Sequence, residues 1–215
     1  HLATLPMGYR TEGLVEIESY TYSTYVEQLT PIRDRLLAMP QVKRIGWAMS
    51  MPWNCQTNGV QEKGSTDEPV SSWTFYSAMD TTCMGMLGFE IVEQYSAPED
   101  DKHYIAEETR DRYDVSAENP LVGGQISGTA SYPVCGVIKD YRSFNPVGGN
   151  SMADGHNIIA VMMNPNRAAF MMVELSEEGM EDVDEAIRQM QETCRAVTKD
   201  AYGLEKDFDI RTVDD

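Results

Sequence analysis

Polar and apolar positions alternate over residues 12–18 (Glu-Gly-Leu-Val-Glu-Ile-Glu), which predicts a strand with one face buried. Thr24 and Glu27 have the spacing of a capping box, and Val26, Leu29, Ile32, Leu36 and Met39 follow at helical intervals. Pro31 either kinks this helix or sits in its first turn behind Thr30 as N-cap. Pro40 ends it, and Val42 to Met49 reads as a second strand. The last third repeats the same order. Asn157–Met163 and Ala168–Leu175 read as strands joined by an Asn164-Pro-Asn-Arg167 hairpin turn. A helix follows from about Met180 to Val197, its apolar Val183, Ile187, Met190, Cys194 and Val197 forming one narrow stripe that packs on a sheet. Gly203 ends it, and Phe208, Ile210 and Val213 belong to a closing strand.

Two strand–helix–strand halves around one sheet predict an α+β fold, a ferredoxin-like sandwich. The middle of the chain has a different texture. Residues 54–69 read as loop, 70–79 as a strand, 81–87 as a short helix and 89–92 as a strand. Tyr104–Ala106 reads as a strand leading into a charged helical stretch to Tyr113, and Tyr132–Lys139 as an apolar strand. The expected organisation is therefore a discontinuous ferredoxin-like subdomain, residues 1–52 and 144–215, with a smaller α/β subdomain inserted at 53–143. No internal repeat or low-complexity tract interrupts it.

Charge narrows the function classes. The 215 residues carry 17 Lys+Arg against 35 Asp+Glu, a formal net charge of −18. Such a surface repels phosphate backbones and anionic headgroups, which argues against nucleic-acid binding and polybasic membrane docking. Hydrophobic residues make up 41%, with 11 Tyr, 5 Phe and 3 Trp, enough to build a core rather than a disordered chain. The longest apolar runs are strand-sized, far short of the roughly 20 residues of a membrane span, and no signal peptide opens the sequence.

Templates for chemistry fail in turn. Cys55, Cys83, Cys135 and Cys194 form no C-x-x-C pair; four cysteines allow three disulfide pairings, and the apolar surroundings of Cys135 and Cys194 favour buried thiols. His1, His103 and His156 lie at no ligand spacing from one another or from a cysteine, so no metal site is expected. Acidic runs such as Glu99-Asp100-Asp101 lack the Ca²⁺-loop pattern. There is no G-x-S-x-G or H-E-x-x-H. The glycine clusters at Val122-Gly-Gly124 and Val147-Gly-Gly-Asn150 lack phosphate-loop features and read as turns that need positive φ. No catalytic residue and no cofactor is expected. The Met162-Met163 and Met171-Met172 doublets read as core filler on strands rather than a copper(I) site. Trp47, Trp53 and Trp73 fall near the expected subdomain junction, where they either line a ligand groove or join the subdomains.

Several segments, in order along nearly the whole chain, resemble the extracytoplasmic domains of MacB/FtsX-type ABC transporter permeases. Leu5-Pro-Met-Gly-Tyr-Arg-Thr-Glu-Gly-Leu-Val15 is similar to the segment that follows the first transmembrane helix there. Leu36-Leu-Ala-Met-Pro-Gln-Val-Lys-Arg-Ile45 resembles its "L-x-x-x-P-x-V" passage, with Met51-Pro-Trp53 where a proline follows the second strand. Met79-Asp-Thr-Thr-Cys-Met-Gly-Met-Leu-Gly-Phe89 resembles "D-x-x-F-x-x-L-G-h" (h, hydrophobic), with Cys83 or Met84 replacing the aromatic. Ile105-Ala-Glu-Glu-Thr109, Asn119-Pro-Leu-Val-Gly123 and Pro133-Val-Cys-Gly-Val-Ile-Lys-Asp-Tyr141 are similar to "ILNET", the "N/D-P-V/I-G" turn and "h-I/V-G-V-V-K-D-F/Y". Met172-Val-Glu-Leu-Ser176 and the ending Phe208-Asp-Ile-Arg-Thr-Val-Asp-Asp215 complete the pattern.

The resemblance implies a non-catalytic domain between the first two transmembrane helices of a permease, on the periplasmic face of the inner membrane, with a porter subdomain and an inserted one. Its implied partners are the transmembrane helices of its own full-length chain, cytoplasmic ABC ATPase subunits, a second permease copy or paralogue, and an extracytoplasmic partner protein. Its implied role is to couple ATP hydrolysis to substrate export or to work on that partner. The sequence reads as a domain cut from between two helices. The competing expectation is a free-standing extracytoplasmic module that holds a peptide or lipid near Trp47, Trp53 and Trp73.

Overall fold

The computed structural model describes residues 7–18, 24–61, 71–123, 131–143 and 156–213. In chain order these form β1 (Leu14–Glu18), β2 (Thr24–Tyr25), α1 (Val26–Leu37), β3 (Val42–Ser50), β4 (Gln56–Gln61), β5 (Ser71–Met79), α2 (Thr81–Leu87), β6 (Ile91–Gln94) and β7 (His103–Ala106). Then follow α3 (Glu107–Tyr113), β8 (Leu121–Gly123), β9 (Ser131–Ile138), β10 (His156–Val161), β11 (Arg167–Ala168), β12 (Phe170–Leu175), α4 (Glu177–Glu181), α5 (Val183–Tyr202) and β13 (Asp209–Thr212). The fold is mixed α+β. The chain divides into two compact units, a terminal unit from 10–49, 80–87 and 164–215 and a central unit from 1–9, 50–79 and 88–163.

In the terminal unit the strands run β13-β1-β12-β3, each antiparallel to its neighbour. Val15, Ile17, Ile45, Trp47, Met171 and Val173 share one sheet face, buried against Leu29, Ile32 and Leu36 of α1 and Ala186, Met190 and Cys194 of α5. Val183, Ile187 and Val197 flank this stripe and are only partly buried, so α5 is centred one position away from the sequence reading. The opposite face is not solvated either: Leu14 and Glu16 are buried along with Val15 and Ile17. Strict alternation predicts a wet face here. Ion pairs and α2 lie on it instead.

The helix ends show how local signals compete. Asp182 caps α5 by accepting the Glu185 N–H at 3.0 Å, and Gly203 at φ 70° donates its N–H to Lys199 O, the expected glycine stop. The capping box expected at α1 does not form: Tyr25 is the N-cap, and its side chain makes no capping bond. Thr24 is instead committed to β2, which pairs with β11, and the Val26 N–H goes to Asn166 O at 3.0 Å. Pro31 lies inside α1, not in its first turn. It is exposed, so the carbonyl that loses its intrahelical donor is on the solvent side.

In the central unit β5, β10, β7, β9 and β6 are successive neighbours, with β4 added to β5 and β8 to β9. β10 is parallel to β5, and β7 is parallel to β9. Val60, Ile105, Tyr113, Val115, Val122, Tyr132, Val134, Val137 and Ile158 form its core. Two sequence expectations fail here. The hairpin around Asn164–Arg167 does not exist: both edges of β10 are taken by β5 and β7, and both edges of β12 by β1 and β3. The turn residues mark where the chain leaves one unit for the other. Residues 56–61, read as loop, form β4, a polar strand without apolar alternation. Gly123 takes φ 71°, as its turn reading requires, whereas Val147–Asn150 lies outside the described residues.

Candidate functional site

A connected set of polar contacts in the terminal unit surrounds α2. Asp80 precedes this helix, and its carboxylate accepts the Cys83 N–H at 2.7 Å through Oδ1 and the Trp47 N–H at 2.9 Å through Oδ2. The Asp80 N–H returns a bond to Trp47 O at 2.9 Å. Burial pushes the Asp80 carboxyl upward, against the lowering effect of these amides. Gly46 makes the fit feasible: a Cβ there would stand 2.7 Å from Asp80 Oδ1 and Cys83 Sγ and 2.9 Å from the Cys83 nitrogen.

At the other end of α2, two arginines take over the last-turn carbonyls. Arg10 Nε donates to Met86 O at 3.0 Å, the Arg10 N–H to Leu87 O at 2.8 Å, and Arg44 Nη2 to Gly85 O at 3.4 Å. Cations at a helix C-terminus complement its dipole. The same guanidinia converge on Glu174 of β12: Arg10 Nη2 lies 2.8 Å from Oε1, Lys43 Nζ 3.2 Å from Oε1, and Arg44 Nε binds Oε2. Burial pushes the Glu174 carboxyl up, but the bonds from Arg10, Arg44 and Lys43 outweigh it and hold the pKa at about 2. One row further along, buried Glu16 accepts Arg211 Nη2 at 2.7 Å.

The terminal unit also has an open groove of about 520 Å³ between the end of α1 and α5, lined by Met39, Pro40, Gln189, Thr193 and Arg35 among others. Its rim cation Arg188 is engaged by Glu185 and Glu192 of the same helix.

The sequence-predicted residues fall as follows. Trp47 is buried in the α1/α5 core, with the Arg33 guanidinium 5.6 Å from its ring centroid. Trp53 belongs to the central unit, where its ring centroid lies 5.9 Å from that of Tyr9. The side chain of Trp73 lies outside the described residues. All four cysteines are buried thiols outside any disulfide, and burial pushes them up, to about 11 for Cys55 and Cys135 and about 12 for Cys194. Met162 is half-buried and Met163 exposed, while Met171 and Met172 are both buried. Among the described residues, no group of three or more His, Cys, Asp or Glu could hold a metal ion, and no helix is long and apolar enough to cross a membrane. The Glu174 cluster was not legible in the sequence. Its members are up to 164 positions apart and fall in three separate segments of the resemblance, with nothing in the sequence to bring them together.

No protein-family model and no curated protein matches the sequence. Solved structures do match the fold. The periplasmic region of MacB from Actinobacillus actinomycetemcomitans superposes with a TM-score of 0.54 at 13% identity, over 96% of this chain and 91% of that one. The extracellular domain of the noncanonical ABC-type transporter YknZ from Gram-positive bacteria gives 0.53 at 13% identity, over 92% of this chain and 99% of that one. The resemblance carried by the sequence motifs is thus matched in three dimensions, and this chain has the fold of the extracytoplasmic domains of MacB-type ABC transporters.

Proposed function

We propose that this chain is the extracytoplasmic domain of an ABC transporter permease, a non-catalytic body that couples ATP hydrolysis by cytoplasmic subunits to substrate export or to a partner outside the membrane. The observation that carries this reading is the near end-to-end correspondence with two such domains, over nine-tenths or more of both chains in each pair. The terminal unit supports it further. Its order β13-β1-β12-β3, with α1 after β1 and α5 after β12, suits a ferredoxin-like porter subdomain, and the central unit is then the inserted one. The start of β1 and the end of β13 lie side by side, the Val213 N–H donating to Leu14 O at 3.1 Å. That is convenient for a body held on two neighbouring tethers.

The experiment is fractionation of the full-length protein from its native cell. The reading predicts membrane association that resists alkaline carbonate, and detergent release together with an ATPase subunit carrying a G-x-x-x-x-G-K-S/T loop. Recovery as a free extracytoplasmic protein would contradict it.

A further inference from the structure

Within the terminal unit, the cations around Glu174 outnumber the carboxylate that holds them. Arg10, Lys43 and Arg44 all lie on Glu174, and among the described residues no second carboxylate is within ion-pair reach of any of the three. The Glu174 side chain is 5% exposed, whereas those of Arg10, Lys43 and Arg44 are 45%, 60% and 39% exposed. The anion therefore lies beneath and the cations face solvent. The adjoining cluster has the opposite ratio, with Arg211 met by Glu16, Glu18 and Asp209. In a chain of net charge −18, three cations on one carboxylate leave a local surplus of two positive charges.

The three heads are also held in position. Arg10 spends Nε on Met86 O and Nη2 on Glu174; Arg44 spends Nη2 on Gly85 O and Nε on Glu174. Nη1 of each arginine and two of the three ammonium hydrogens of Lys43 make no hydrogen bond to a described residue. Because all three groups touch the same carboxylate, these spare donors are confined to one small patch. Fixed guanidinium edges beside an ammonium are the donor set that suits a tetrahedral oxyanion. The surplus of two charges also matches a phosphate group, which carries roughly −1.5 to −2 at neutral pH.

We propose that Arg10, Lys43 and Arg44 form a phosphate-binding site on the terminal unit, with buried Glu174 holding the three cations in place. Its ligand is inorganic phosphate or the phosphate group of a small molecule. A phospholipid headgroup offers the same chemistry, but the net charge of −18 repels an extended anionic surface, while a small ion close to the patch meets the local surplus.

The test titrates inorganic phosphate into this chain at neutral pH and follows the backbone and side-chain N–H resonances, with sodium chloride at equal ionic strength as the reference. The site predicts saturable shifts at Arg10, Lys43, Arg44 and 85–87, with a dissociation constant on the order of 1–10 mM. Lys43→Gln, at an exposed position, should weaken binding roughly tenfold or more. Lys199→Gln removes an equal charge elsewhere on the terminal unit and should leave binding unchanged. Shifts that never saturate, or that chloride reproduces, would overturn the site. So would a folded Lys43→Gln variant that binds phosphate as the parent does. Co-sedimentation with phosphatidylcholine vesicles, with and without phosphatidylglycerol, separates the two sources. Saturable phosphate binding without vesicle binding assigns the site to soluble phosphate; vesicle binding that free phosphate competes away assigns it to a headgroup. Vesicle binding without a saturable phosphate response is general charge attraction and contradicts the site. None of these outcomes depends on whether the full chain is a permease, which membrane fractionation decides separately.

Discussion

Glu174 is the residue whose surroundings say most about stability. Its folded pKa of about 2 lies below the ordinary value of 4.5. Its contribution is therefore fully present above pH 4.5 and is lost as pH falls toward 2, worth on the order of 3 kcal/mol at neutral pH. Asp80 works in the opposite sense: its raised pKa means that protonation on acidification relieves a buried charge. Comparing the parent with Glu174→Gln isolates the first effect. Urea unfolding should show a loss of about 2–3 kcal/mol at pH 7 that shrinks toward pH 2; a difference independent of pH would contradict the ion cluster. The thiols make a second residue-scale test. Ellman's reagent should titrate no cysteine in the folded chain and all four after unfolding, because the buried thiols form little thiolate and are out of reach.

Among the elements, α5 was the most legible in sequence, since the 4-3-4-3 spacing from Val183 to Val197 leaves little choice of face. The structure moves the centre of that face to Ala186, Met190 and Cys194. Met190→Asp should therefore cost about 3–5 kcal/mol, enough to unfold a marginal domain, while Ile187→Asp at the flank costs less. Equal melting temperatures for the two would mean that the face is misplaced. Gly203→Ala should cost about 1 kcal/mol through its left-handed conformation alone. What sequence missed has a common cause. The Asn164–Arg167 turn signal is real, but strand pairing is decided by which edges are free in the whole fold. β4 has one apolar anchor, Val60, among polar residues, so no alternation marks its place beside β5. In so acidic a chain, Asp80 and Glu174 look like any other carboxylates until folding brings the Trp47 and Cys83 amides to the first and Arg10 and Arg44 to the second.

At the scale of the whole molecule, two compact units are connected by repeated passages of one chain that carries a formal net charge of −18. The proposed permease role has this body transmit displacement outside the membrane. The claim that it does so as part of a permease is tested most directly by reading the native coding sequence on both sides of this chain. A permease domain requires an apolar stretch of about 20 residues close to each side, long enough to span a bilayer as a helix. A cleavable signal sequence on one side and a stop codon soon after the other would contradict it.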